Sequence, residues 1–149
     1  MKTLLTTCRR SAALRVASLL ILLPSLVLLP SANIQANPEN GVVVAGMAEI
    51  GEGLDGHLTI HQGSDRAIIN WEAFSIAEGE LTQFLQPGAD SAILNRVIAD
   101  NPSALNGALQ ANGNVFLINP AGIMVGPGGA IDVNVFVAST LDIPDASFM

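Results

Sequence analysis

From Val115 to Gly126 the chain reads V-F-L-I-N-P-A-G-I-M-V-G, two short apolar runs on either side of Asn119-Pro120-Ala121-Gly122. Few patterns constrain a fold more tightly, because this one demands a strand, a sharp corner and a second strand. Proline presets φ at the second turn position, asparagine caps the turn through its side chain, and glycine suits the fourth position. Together they specify a type I turn. The residue before a proline is pushed toward extended geometry, so the first strand runs up to Asn119. As the cap of its own turn, the Asn119 side chain is expected to contribute about 1 kcal/mol. A β-branched residue at Gly122 is expected to cost roughly 1–3 kcal/mol.

The same alternation of aliphatic run and corner continues along the chain. Strands are predicted at Val42–Ala45, His57–His61, Ala67–Trp71, Leu81–Leu85, Ala92–Val97, Val115–Ile118, Ile123–Val125, Ile131–Val135 and Val137–Thr140. Further turn signals stand at Asn112-Gly113 and Gly126-Pro127-Gly128-Gly129. Only Pro102 to Gln110 has the composition for a turn or two of helix. Short strands with frequent corners fit a sandwich, a barrel or a parallel β-helix. Nearly continuous aliphatic runs lean toward parallel sheets covered on both faces. The corner spacing varies, so repeat periodicity does not decide the matter.

The first thirty-six residues have a different character. Lys2, Arg9, Arg10 and Arg15 precede an apolar stretch from Val16 to Leu29 that Pro24 interrupts. As a helix this stretch would span about 21 Å, short of the ~30 Å hydrocarbon core. Ile34-Gln35-Ala36 then places a small residue at a cleavage position. Residues 1–36 therefore read as a secretory signal cut after Ala36, with no stable membrane anchor. Cleavage would leave 37–149 as a single small domain with Arg66 and Arg96 against thirteen carboxylates, a net charge of −11, and no lysine. Nucleic acid and anionic lipid surfaces are disfavoured as partners on that balance. Cys8 leaves with the signal, so the exported chain forms no disulfide.

Catalytic and metal-binding readings find little to build on. His57 and His61 have the spacing of a helical metal pair, but H-L-T-I-H is strand-like. On a strand the two share a face about 13 Å apart, too far for one ion. Glu78 and Glu80 are the closest carboxylates, and no basic cluster stands with them. Gly128 to Asp132 is a single imperfect copy of a calcium-binding repeat and reads as a corner. No nucleophile elbow or phosphate loop is present, so no enzyme and no cofactor are expected. Trp71, Phe74, Phe84, Phe116 and Phe136 are assigned to the core, with Trp71 also a candidate contact for a capping segment.

Several segments in order resemble one family. Ile68 to Glu80 (I-I-N-W-E-A-F-S-I-A-E-G-E), Phe84 to Val97, Asn101-Pro102, Leu109 to Pro120, Gly128 to Val133 and Val137 to Ile143 are similar, over roughly Asn40 to Met149, to the two-partner secretion domain. That domain is the amino-terminal region of filamentous haemagglutinin-like exoproteins. Ala121 stands where the best-known members carry asparagine in Asn-Pro-Asn-Gly-Ile, and a second Asn-Pro-Asn-Leu motif found in some members is absent.

The resemblance implies an all-β fold, a right-handed parallel β-helix with antiparallel capping strands, here expected to be incomplete at its C-terminal end. It implies a non-enzymatic secretion-targeting role. The chain would be recognised in the periplasm by an outer-membrane β-barrel transporter with periplasmic recognition domains, cross in an extended state, and nucleate β-helix folding outside the cell. Asn119, Pro120, Gly122 and Ile123 are the recognition residues carried over by motif. For all four a purely structural corner stands as the competing reading. The rival function is a fragment of a β-helical carbohydrate-active enzyme or adhesin with its own ligand surface.

Overall fold

The inward residues of successive strands stack in columns, and this stacking organises the chain. The computed structural model describes residues 37–149. Its elements are β1 (Val42–Ala45), β2 (Ala48–Ile50), β3 (His57–Gln62), β4 (Arg66–Trp71), β5 (Leu81–Leu85), β6 (Ala92–Val97) and β7 (Ser103–Leu105). They continue with β8 (Ala108–Ala111), β9 (Asn114–Ile118), β10 (Ile123–Val125), β11 (Ala130–Asp132), β12 (Val135–Ser139) and a short helix α1 (Asp145–Phe148). The expected signal segment, with Cys8 and its cleavage point after Ala36, lies outside the described residues.

One sheet has the order β1-β4-β6-β9-β12 and the other β11-β8-β5-β3-β2, with β7 and β10 forming a short third face. Pairing is parallel from β4 to β6 to β9 to β12 and from β3 to β5 to β8 to β11. The chain therefore winds as a parallel β-helix of four coils. The first strands of these coils begin at residues 57, 81, 108 and 130, so successive turns use 24, 27 and 22 residues. That irregularity is why no repeat is legible in the sequence. β1 and β2 pair antiparallel with β4 and β3 and cover the first coil, the capping arrangement that the resemblance implied.

Register explains the core. Ala67, Ile93, Val115 and Phe136 lie over one another on the inner side of the first sheet. Leu58, Thr82, Leu109 and Ile131 do the same in the second. Trp71, Phe74 and Phe84 are fully buried, while Phe116 and Phe136 are only partly covered. Each fully buried aliphatic or aromatic side chain is worth about 1.5–3 kcal/mol. Trp71 and Asn95 are paired across coils in this interior: Trp71 Nε1 donates to Asn95 Oδ1 at 2.9 Å, and Asn95 Nδ2 donates to the Phe116 carbonyl.

Two expectations need correction. The stretch Pro102 to Gln110 is not helical but holds β7 and β8. Ala, Leu and Gln favour helix in isolation, yet here their backbones pair with β10, β5 and β11 in parallel ladders, and tertiary pairing overrides local preference. Gly107 makes the corner between them: a Cβ there would lie 2.2 Å from the Ala77 carbonyl oxygen. The single strand expected at Ile131–Val135 is split by a corner at Val133-Asn134. Asn134 holds that corner by donating from its backbone to Gly113 and from Nδ2 to the Ala89 carbonyl and Asn114 Oδ1. β2 escaped prediction because Ala-Glu-Ile carries too short a pattern to read.

Candidate functional site

β9 delivers the chain to the Asn119 corner and β10 carries it away. The Gly122 N–H donates to the Asn119 carbonyl at 3.0 Å, closing a four-residue turn. Ala121 does not have a positive φ, so the turn is type I, as the sequence specifies. Gly122 has φ +111° in open space, a backbone conformation that disfavours any side chain. Asn119 Oδ1 accepts the Ala121 N–H at 2.9 Å, the side-chain cap that the pattern predicted.

The cap is only part of what Asn119 does. Its Nδ2 donates to the Asn101 carbonyl and to Ser103 Oγ, both at 2.9 Å, and both belong to the preceding coil. Its backbone N–H donates to the Ser139 carbonyl in the following coil at 3.0 Å. The Ser103 N–H in turn donates to the Gly122 carbonyl. One corner thus ties three coils together. Asn119 has no exposed surface and Ser103 has 1 %. Both Nδ2 protons are used and Oδ1 is occupied, so this side chain presents nothing to a partner of the folded domain.

The four carried-over residues therefore differ in access. Pro120 is exposed, Gly122 and Ile123 are partly buried with Ile123 packed on the main core, and Asn119 is sealed. Ser103 and Ser139 complete the corner and were not singled out in the sequence. Asn101-Pro102 marked the neighbourhood, but no local signal says that Ser103 faces inward sixteen residues upstream of its partner.

Elsewhere the side chains that carried alternative chemistry are placed as follows. His57 and His61 face solvent from β3. Glu80 accepts the Ala77 N–H through Oε2 at 2.8 Å, holding a turn. Among the described residues no group of three or more histidine, cysteine, aspartate or glutamate side chains converges. Trp71 packs edge-on to Phe74, with ring centroids 5.8 Å apart, and Gly41 of the capping segment lies against its ring.

A capped parallel β-helix whose third coil turns on Asn-Pro-Ala-Gly is the arrangement that the resemblance implied. The chain matches the family described as "TPS secretion domain" over residues 34–149. It belongs to the TPS secretion domain family. A heme/hemopexin-binding protein of Haemophilus influenzae is 38% identical over 106 residues, covering 71% of this chain and 11% of the relative. The corresponding protein of H. influenzae strain Rd is 36% identical over the same length, covering 12% of that relative. The crystal structure of the HMW1 secretion domain from H. influenzae superposes with a TM-score of 0.71 at 42% identity, covering 75% of this chain and 30% of that one. The chain thus spans only a small part of the curated relatives it matches.

The TPS domain is the secretion-targeting module of secreted exoproteins in two-partner systems, and that is the role of this chain. The TPS secretion domain of exoproteins is a non-enzymatic targeting domain. Membership does not favour the rival reading of a carbohydrate-active enzyme or adhesin fragment.

Proposed function

We propose that the TPS domain is recognised in the periplasm by the periplasmic domains of an outer-membrane β-barrel transporter. In this reading residues 1–36 are a signal removed after Ala36, and 37–149 form part of the secretion domain. The chain reaches the transporter extended and winds its coils after crossing. Asn119, Pro120, Gly122 and Ile123 are read by the transporter as a linear segment, and the same residues later lock the coils.

The observation that carries this reading is the complete burial of Asn119. A side chain with every hydrogen-bonding group engaged inside the domain is legible to a partner only before the coils close. The strongly acidic, lysine-free and cysteine-free composition of 37–149 agrees with a chain kept extended and free of cross-links during passage.

The test uses Gly122→Val as a background that opens the corner. Binding to the transporter's periplasmic domains is measured for that variant with and without Asn119→Ala. The reading predicts that Asn119→Ala weakens binding even when both chains lack the folded corner. If the added substitution leaves binding unchanged there, Asn119 is a structural residue and no part of the recognised segment.

A further inference from the structure

The outer face of the first sheet carries an apolar row. Ala45, Ile68, Leu94 and Phe116 lie in register across four neighbouring strands and point away from the coil interior. An apolar row on the outside of a β-helix would ordinarily meet water. Here it is covered by the segment that follows β12. Phe148 of α1 is buried against this row and packs edge-on to Phe116, with ring centroids 5.3 Å apart.

The helical backbone hydrogen bonds of this segment are local: Ser147 and Phe148 donate to the Pro144 carbonyl and Met149 to that of Asp145. Besides the bonds between Leu141 and the adjoining Ser139 Oγ, its polar attachments to the coils come from Arg66 and Arg96. Arg96, on β6, pairs with Asp142 at 2.7 Å and Asp145 at 2.8 Å and donates to the Ile143 carbonyl. Arg66, on β4, donates to the Phe148 carbonyl, and its guanidinium lies 5.6 Å from the Phe148 ring centroid. Burial acts to lower the Arg96 pKa, and the hydrogen bonds and charges of Asp142 and Asp145 outweigh it and leave it raised. Arg96 therefore stays charged throughout the range in which proteins fold.

We infer that residues 141–149 form a latch that docks on and leaves the outer sheet face as a unit, with Phe148 as its anchor and Arg66 and Arg96 as its two holds. Release breaks no strand-ladder hydrogen bond, so the coils stay wound. It bares the row of Ile68, Leu94 and Phe116 to solvent. Asp142 and Asp145 are both exposed, so the holds are weakened by salt.

Amide hydrogen exchange on the full chain tests this. Ser147, Phe148 and Met149 should exchange faster than Ile93 to Asn95 of β6, and faster again in 1 M salt. Arg96→Gln should speed exchange at those three amides by roughly threefold to tenfold and leave the β6 amides unchanged. Phe148→Ala should bring the latch amides to free-peptide rates and raise binding of a hydrophobic dye, with the far-UV spectrum unaltered. If the latch and β6 amides exchange in step in the wild type, or if Arg96→Gln slows or speeds both sets equally, the segment is part of the cooperative core and the inference fails. The wild-type and Arg96→Gln comparison decides this even if Phe148→Ala does not fold.

Discussion

Asn119 Nδ2 and Ser103 Oγ lie 2.9 Å apart, sixteen residues distant in sequence and one coil distant in the stack. This bond makes a turn residue into an inter-coil clamp. It also changes the expected energetics of the corner, because the partners of Asn119 are buried or backbone groups that water does not replace on truncation. Asn119→Ala should cost roughly 2–4 kcal/mol rather than the ~1 kcal/mol of a solvent-facing cap. Denaturant unfolding of the two chains measures it directly, and a loss below about 1 kcal/mol would mean that the inter-coil bonds add nothing.

Ser103→Ala isolates the same bond from the other side. It leaves one Asn119 proton without its acceptor in a sealed site and should destabilise by about 1–2 kcal/mol. In a double-mutant cycle with Asn119→Ala the two losses should fall short of additive, as contacting residues do. Full additivity would show that the two side chains act independently.

The corner glycines predict opposite behaviour for similar-looking substitutions. At Gly107 a Cβ would sit 2.2 Å from the Ala77 carbonyl oxygen and 2.5 Å from that of Glu80, both backbone atoms. Gly107→Ala should therefore displace the chain and cost about 2 kcal/mol or more. At Gly88 nothing lies within 4 Å and φ is ordinary, so Gly88→Ala should stay within about 0.5 kcal/mol. Thermal unfolding of the pair checks the register of the second and third coils.

Trp71 is the sole tryptophan and is fully buried, with its Nε1 on Asn95 Oδ1. Its emission should be blue-shifted and weakly quenched by acrylamide, and should move to the red in one step with loss of the far-UV β signal. Trp71→Phe keeps an aromatic ring but strands the buried Asn95 carbonyl, so it should cost roughly 1–3 kcal/mol. A solvent-like emission maximum in the native protein would place Trp71 outside the core.

Much of this was legible in advance where local chemistry is strong. The Asn119 to Gly122 turn, the strands at Val42–Ala45, Leu81–Leu85, Ala92–Val97 and Ile123–Val125, and the outward His57 and His61 all follow from residues that specify backbone or face without help. β7 and β8 did not, because Ser-Ala-Leu and Ala-Leu-Gln-Ala take their conformation from neighbouring coils. The site was half legible for the same reason. Pro120 and Gly122 declare a turn, but the inward direction of Asn119 and its bond to Ser103 depend on how one coil lies over the next. The latch was hidden too, since Arg96 meets Asp142 and Asp145 across 46 and 49 residues.

The most direct measurement is the fraction of the chain released to the medium when the full chain is produced in a Gram-negative host with a partner outer-membrane transporter. The comparison is the same host carrying that transporter without its periplasmic domains. The account predicts release with the intact transporter and retention in the periplasm with the truncated one. Equal release in both, or release with no transporter present, would contradict it.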